Sequence, residues 1–462
     1  APAGAADKAV DYAARAGDRA ADALALEEAA RLYDMALQAL EFKPAGPEAD
    51  LRRTDLHARR ARAFGGMAQW ALQKQEVELA LRYLDERHLD RRAELKLELA
   101  EACFFLLDIP SCDQAATEAL HLSELGNRSD IAADAIAWLA RGRQANGDLS
   151  AAIELERTAI ARGEGLKRIS LMFASLTLYL AGESIEALEH AAKAAAIAES
   201  SRDTGFVMYS LTHYGLSLGA VGRYAEAAKA FEQVRQFGRK YGLVPPLARA
   251  IAMAAGFHVS AFDFEGAEVL QTEARELAAS VGFAPTLVSA GIDMLLTYAR
   301  RHEPGRAETL LRTTTALAAN TPGWHDWLWR LRLAQTRAEL ALARGDMDLA
   351  LAEAREGSLQ SRARRRTKYE ALGLITSATA LHRLGRTREA IADARHAVAV
   401  ARRTSDPALL LQAIDTLLAL DGDDPLAAEA RVLNGRILAA LPDATMRRRF
   451  TESEVVQRIL RL

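Results

Sequence analysis

Turn-forming positions recur along this chain at a nearly constant interval. They fall at Gly147, Gly182, Gly222, Phe262, His302, Gly345 and Gly385, separated by 35, 40, 40, 40, 43 and 40 residues. Small side chains keep the same frame around them, as in Ser175, Ala187 and Ala191, or Ala338, Ala350 and Ala354, or Ala378, Ala390, Ala394 and Ala397. An interval held over so many copies means one supersecondary unit repeated, and such a unit buries its apolar face only by stacking on its neighbours. The length agrees, because 462 residues exceed what one ordinary core covers, roughly 250–300 residues. The unit is helical. Gly and Pro number only 29 and 12, so they do not break up long stretches of Ala, Leu, Arg and Glu, which are strong helix formers. No run of alternating β-branched residues marks a strand.

The clearest copy spans residues 208–237. Gly215, Gly222, Tyr224, Ala227 and Phe231 resemble the tetratricopeptide consensus, which has small residues at positions 8 and 20, a turn at 15, an aromatic at 17 and a large residue at 24. Two antiparallel helices approach closely only where small side chains oppose each other. Gly215 is therefore expected to meet Ala227, with Tyr224 and Phe231 filling the wedge beside them. At the start of the chain Gly17, Ala20, Ala29, Tyr33 and Ala36 hold the same frame. Cys103 and Cys112 fall at positions 8 and 17 of a unit around Pro110, so both are expected to be buried and reduced. The usual unit is about 34 residues, and the 40-residue interval predicts longer helices. The expected fold is an all-α, tetratricopeptide-like solenoid of antiparallel helix pairs wound as a right-handed superhelix. Residues 1–42 form a first helix pair, 51–420 the array and 421–462 capping helices. Loops are expected at 43–50 and at Asn320-Thr321-Pro322-Gly323.

Composition excludes several classes. No run of about 18 apolar residues exists to span a membrane. A net charge of −3 makes a nucleic-acid partner an unlikely reading. Two cysteines are no disulfide framework, which points to the cytoplasm. No phosphate-binding loop, zinc motif or nucleophile elbow is expected, so neither catalytic residues, metal ligands nor a cofactor are assigned. The missing initiator Met points to a piece of a longer protein.

The segment from Ala9 to Ala20, followed by Glu27-Glu28-Ala29-Ala30-Arg31-Leu32-Tyr33, resembles the start of the repeat region in large bacterial signalling ATPases. These are the STAND-type proteins, of the maltose-regulon-activator and cyclase-linked groups. Leu441-Pro442-Asp443-Ala444 and Arg447-Arg448-Arg449-Phe450 resemble the C-terminus of the cyclase-linked group. That resemblance implies a sensing region that controls an ATPase. The alternative is a repeat scaffold that assembles proteins without a switch role. Either way the expected partner is a protein or peptide, or else a small ligand, and the oligomeric state stays open.

Positions 2, 5, 9 and 12 of each first helix line the concave side of such arrays. They nominate Arg141, Met172, Tyr179, Tyr209, Thr212, Arg249, Arg332, Gln335, Glu339 and His382, with His213 adjacent to Thr212. A second candidate is the cluster Trp324, Trp327 and Trp329, since tryptophan is enriched at binding hot spots. The basic run Arg362, Arg364, Arg365, Arg366 and Lys368 is expected to be a solvated helix end.

Overall fold

The computed structural model describes residues 3–162, 168–321, 325–422 and 424–461. Among them the backbone forms 24 helices and no strand. Short turns fold consecutive helices against each other, and alternate helices also touch, as Ala284–Arg300 does with Asp326–Arg344. The chain is thus a tetratricopeptide-like array.

All seven turn positions have positive φ, between 56° and 87°. A helix ending in one left-handed residue returns N–H groups to its last carbonyls, as the Arg223 N–H does to Leu218 O at 2.9 Å. Glycine takes this conformation without strain; Phe262 and His302 take it at a cost of about 1–2 kcal/mol each. From Thr204 to Asn320 six successive helices each have 17 residues. Two such helices with their two three-residue turns account for the 40-residue interval. Asp108, Asp263, Asp346, Asp406 and Asp443 cap later helices by accepting from N–H groups of the first turn.

One packing expectation needs correction. Ala227, Tyr224 and Phe231 are buried as the frame requires. Gly215, however, faces the Phe231 ring rather than Ala227: a Cβ on it would lie 3.0 Å from Phe231 Cε2. Gly17 faces Tyr33 in the same way. The large residue at position 24 lies flat over position 8, and that is why position 8 must be small. Cys103 and Cys112 are buried free thiols, and burial pushes both above the usual thiol range.

The array divides into two compact units. Unit 1 comprises residues 1–145, 151–173 and 197–207; unit 2 comprises 146–150, 174–196 and 208–462. Within unit 2 the chain returns to touch itself after a nearly constant interval. Arg366 Nη1 donates to Leu180 O at 2.6 Å, and Thr367 Oγ1 donates to Ala181 O at 2.7 Å. Arg365 pairs with Glu183 at 2.5 Å, and Pro407 packs against the Gly222 turn. Arg449 binds Asp263 at 2.8 Å while Phe450 stacks on Phe262 with centroids 5.9 Å apart. The bonded partners Arg366 and Leu180 are 186 residues apart, between four and five 40-residue pairs. The turns at Gly182 and Gly222 therefore meet the starts of first helices one coil later, at Thr367 and Pro407, and the turn at Phe262 meets the helix Ala444–Glu452. In unit 1, Thr204 Oγ1 donates to Gly66 O at 3.2 Å and Arg202 pairs with Asp22.

At the ends of the expected loops, a helix starts at Pro47, so residues 47–50 are helical. The C-terminal segment forms three helices, Asp424–Ala440, Ala444–Glu452 and Glu454–Leu460, the last two separated at Ser453. No helix among the described residues is long and apolar enough to cross a membrane.

Candidate functional site

First helices of unit 2 bring their inner faces around a cavity of about 190 Å³. Tyr179, Arg249 and Arg332, three of the residues nominated from the repeat frame, line it. The Arg249 guanidinium is buried and lies 5.2 Å from the centre of the Tyr209 ring. Burial pulls its pKa below the ordinary arginine value, opposed by Tyr209. Arg332 pairs with Asp293 at 2.5 Å and donates to Ser289 O at 3.1 Å. The remaining wall is largely apolar, with Leu176, Met253, Phe283, Leu328, Trp329 and Leu372.

Other nominated residues lie elsewhere. Glu339 and His382 line a second cavity of about 410 Å³ in unit 2, which Asp415, Glu454 and Arg458 also border. Glu339 accepts both Arg300 Nε and Nη2, at 2.8 and 2.9 Å. Gln335 is buried and donates to Glu339 and Thr376. Thr212 donates back to Met208 O within its own helix, and buried His213 sits 3.4 Å from Ser175 Oγ. Arg141 and Met172 belong to unit 1 and are buried there. Arg141 packs over the Phe104 and Phe173 rings and donates to Gln144 at 2.6 Å.

Trp327 and Trp329 of the tryptophan cluster do not form an exposed patch. Trp324 lies outside the described residues, as do Pro322 and Gly323 of the expected loop. Trp327 and Trp329 are 4% and 2% exposed, so both are packing residues. Trp329 still reaches the cavity wall, held there by Nε1 donating to Ser289 Oγ at 3.0 Å. The pattern G-x-S-x-G does occur, at Gly215–Gly219, against the expectation that it is absent. It lies inside the helix Thr204–Ala220 with Ser217 fully buried, so it is not a strand-to-helix elbow. Among the described residues no His, Cys, Asp and Glu side chains gather into a metal-holding group.

The basic run departs furthest from its sequence reading. Arg364 donates to Asn146 O at 3.3 Å, Arg365 and Arg366 clasp the Gly182 turn, and Lys368 pairs with Asp406 at 2.9 Å. Arg366 is only 5% exposed, so the run from Arg364 to Lys368 forms a joint between coils, while Arg362 at its start is exposed as expected. Arg366, Lys368 and Tyr369 all line the 190 Å³ cavity.

In fold the chain is similar to Rap proteins. A Rap protein complexed with competence and sporulation factor superposes with a TM-score of 0.60 at 16% identity, covering 78% of this chain and 99% of that one. Aspartyl phosphate phosphatase F from Bacillus subtilis gives 0.49 at 11% identity, with 78% and 97% covered. The apo form of RapI gives 0.48 at 13% identity, with 77% and 98% covered. At these identities the likeness concerns the helical-repeat fold alone. No protein-family model and no curated protein sequence matches the chain.

Proposed function

We propose that this chain is a regulatory binding region, not a catalytic one, and that it takes a peptide or protein segment on the inner face of unit 2. The observation that carries this reading is the convergence of Tyr179, Arg249 and Arg332, from three separate first helices, on one cavity with apolar walls. Ligand sites are typically concave and apolar with a few convergent polar groups, and aromatic and arginine side chains supply large contact energies per residue. The Rap protein of similar fold was solved with competence and sporulation factor bound, which supports a binding role for such an array. In this reading the chain is the sensing part of a larger switch, of the kind its resemblance to bacterial signalling ATPases implies.

The test is a peptide array probed with the parent chain, followed by affinity measurements on Tyr179→Ala and Gln412→Ala, both partly exposed in the cavity wall. Tighter binding by the parent than by both variants is expected. Equal affinity for all three would move the binding face elsewhere.

A further inference from the structure

Five cationic side chains line the 190 Å³ cavity: Arg249, Arg300, Arg332, Arg366 and Lys368. Three of them have a carboxylate at ion-pair distance. Arg300 has Glu339, Arg332 has Asp293 and Lys368 has Asp406. Arg366 differs. Among the described residues no carboxylate reaches it, and the groups that meet its guanidinium are Leu180 O and the faces of Tyr369 and Tyr179, 5.0 and 6.0 Å away. Its buried Nε has no hydrogen-bond partner. A guanidinium stays charged in proteins, and a buried charge is costly unless it is paired and hydrogen-bonded. The joint between coils needs only one of its N–H groups, the Nη1 bonded to Leu180 O. Arg366 is one of the residues that line the cavity, and planar guanidinium N–H donors match a carboxylate best.

The apolar part of the cavity sets what else the ligand carries. Cavities of about 150 Å³ lined by apolar side chains accept benzene, so 190 Å³ suits one aromatic or branched aliphatic group. Phe283, Leu328, Trp329 and Leu372 provide that surface. We propose that the cavity binds a carboxylate joined to a single apolar group of this size, with Arg366 as the anchoring cation. The inference rests on the reading of this face as the ligand-binding face, and it names the chemistry of the ligand's end. Two sources offer that chemistry: the free C-terminus of a peptide ending in an apolar residue, or a small arylalkyl acid.

The experiment titrates the full chain with 3-phenylpropionate and with its neutral isostere 3-phenylpropanamide, following tryptophan emission and calorimetry. Saturable binding of the acid, roughly tenfold or more tighter than the amide, is expected. Arg366→Met should abolish that preference, and Arg365→Ala, whose side chain pairs outside the cavity with Glu183, should keep it. The acid-against-amide comparison on the parent chain stands even if Arg366→Met fails to fold. Equal affinity for acid and amide, an unchanged preference in a folded Arg366→Met, or no saturable binding of the acid would each overturn the proposal. The tripeptide Ala-Ala-Phe, free and C-terminally amidated, separates the sources. Binding of the free form alone identifies a chain terminus. Binding of phenylpropionate with neither peptide identifies a small acid, which keeps this site and removes the peptide reading above. Array peptides that bind equally when amidated, with no binding of the acid, leave that reading standing and remove this site.

Discussion

In unit 1 the inner arginine is enclosed by rings; in unit 2 the inner arginines surround a space. Phe104, Trp138 and Phe173 form a file with centroids 5.8 and 4.9 Å apart, and Arg141 lies over its two outer rings. In unit 2, Tyr179, Arg249, Arg332 and Arg366 border a cavity instead. The helix pair is the same in both. What differs is the bulk placed on the inner positions of the first helices. An array can therefore fill its interior in one stretch and leave a cavity in another without altering its fold.

The largest expected effect is at the filled interior. Phe104 is fully buried against two rings, so Phe104→Ala should cost about 3–5 kcal/mol, the usual range for a deeply buried phenylalanine. Chemical denaturation of the full chain measures it. A loss under about 1 kcal/mol, the range of ordinary substitutions, would mean that the aromatic file is not what holds unit 1 together.

Next comes the joint between coils of unit 2. Gly222 has φ +81°, and a Cβ there would lie 2.6 Å from Pro407 Cγ. Gly242 has φ +66° and would place its Cβ in open space. Both substitutions to Ala incur the left-handed penalty of about 1–2 kcal/mol, but Gly222→Ala must also push the later coil away. Thermal melts should therefore show Gly222→Ala as clearly less stable than Gly242→Ala. Equal losses would mean that Pro407 yields without cost and that the coils of unit 2 are not locked at this point.

How much of this was legible in the sequence follows from range. The turn at 302 could be placed without glycine because the interval fixed it, and His302 indeed has φ 56°. Cys103 and Cys112 could be placed as buried from position alone. These are contacts within a helix pair or between adjacent pairs. Arg366 was misread because its partner, Leu180 O, lies one coil earlier, beside the Ala181 and Glu183 that meet Thr367 and Arg365, and no local spacing states how many pairs make a coil. The same limit applies to the inner face. The frame named Tyr179, Arg249 and Arg332 as inward, yet it also named Thr212 and Gln335, whose hydroxyl bonds within its own helix and whose amide bonds to the neighbouring Thr376. Position gives direction; whether a side chain reaches open space depends on the bulk of its neighbours.

A smaller effect tests the joint made by the C-terminal helices. Asp263 caps its helix through Gly266 N–H at 2.9 Å and also meets His258 at 2.7 Å and Arg449 at 2.8 Å. Burial alone would raise its carboxyl, but the His258 hydrogen bond and charge, the Gly266 N–H and Arg449 more than offset this and hold it below the ordinary value. A carboxyl titrating lower in the folded chain than in the unfolded one stabilises the fold above the unfolded value of about 4 and loses that contribution as pH falls through the folded value. Asp263→Asn keeps the cap and removes the titration. Melting temperature should therefore fall less steeply below about pH 5 in Asp263→Asn than in the parent. Parallel pH profiles would place the acid sensitivity at other carboxylates.

The smallest effect separates charge from shape in the same clasp. Arg365 pairs with Glu183 across coils, but its side chain is 45% exposed, and an exposed pair gains little over its solvated partners. Thr367, two residues on, is buried and bonds to the backbone at Ala181 O, and its Cβ is 3.0 Å from where a Cβ on Gly182 would stand. If shape and backbone bonding hold the coils together, Arg365→Ala should change stability by no more than about 0.5 kcal/mol, and added salt should remove even that, because screening acts on exposed pairs first. Denaturation of parent and variant at low and high salt measures both parts. A loss well above 1 kcal/mol that disappears in salt would show that the surface charges carry the joint, and the basic run would then be an electrostatic latch between coils rather than a packed seam.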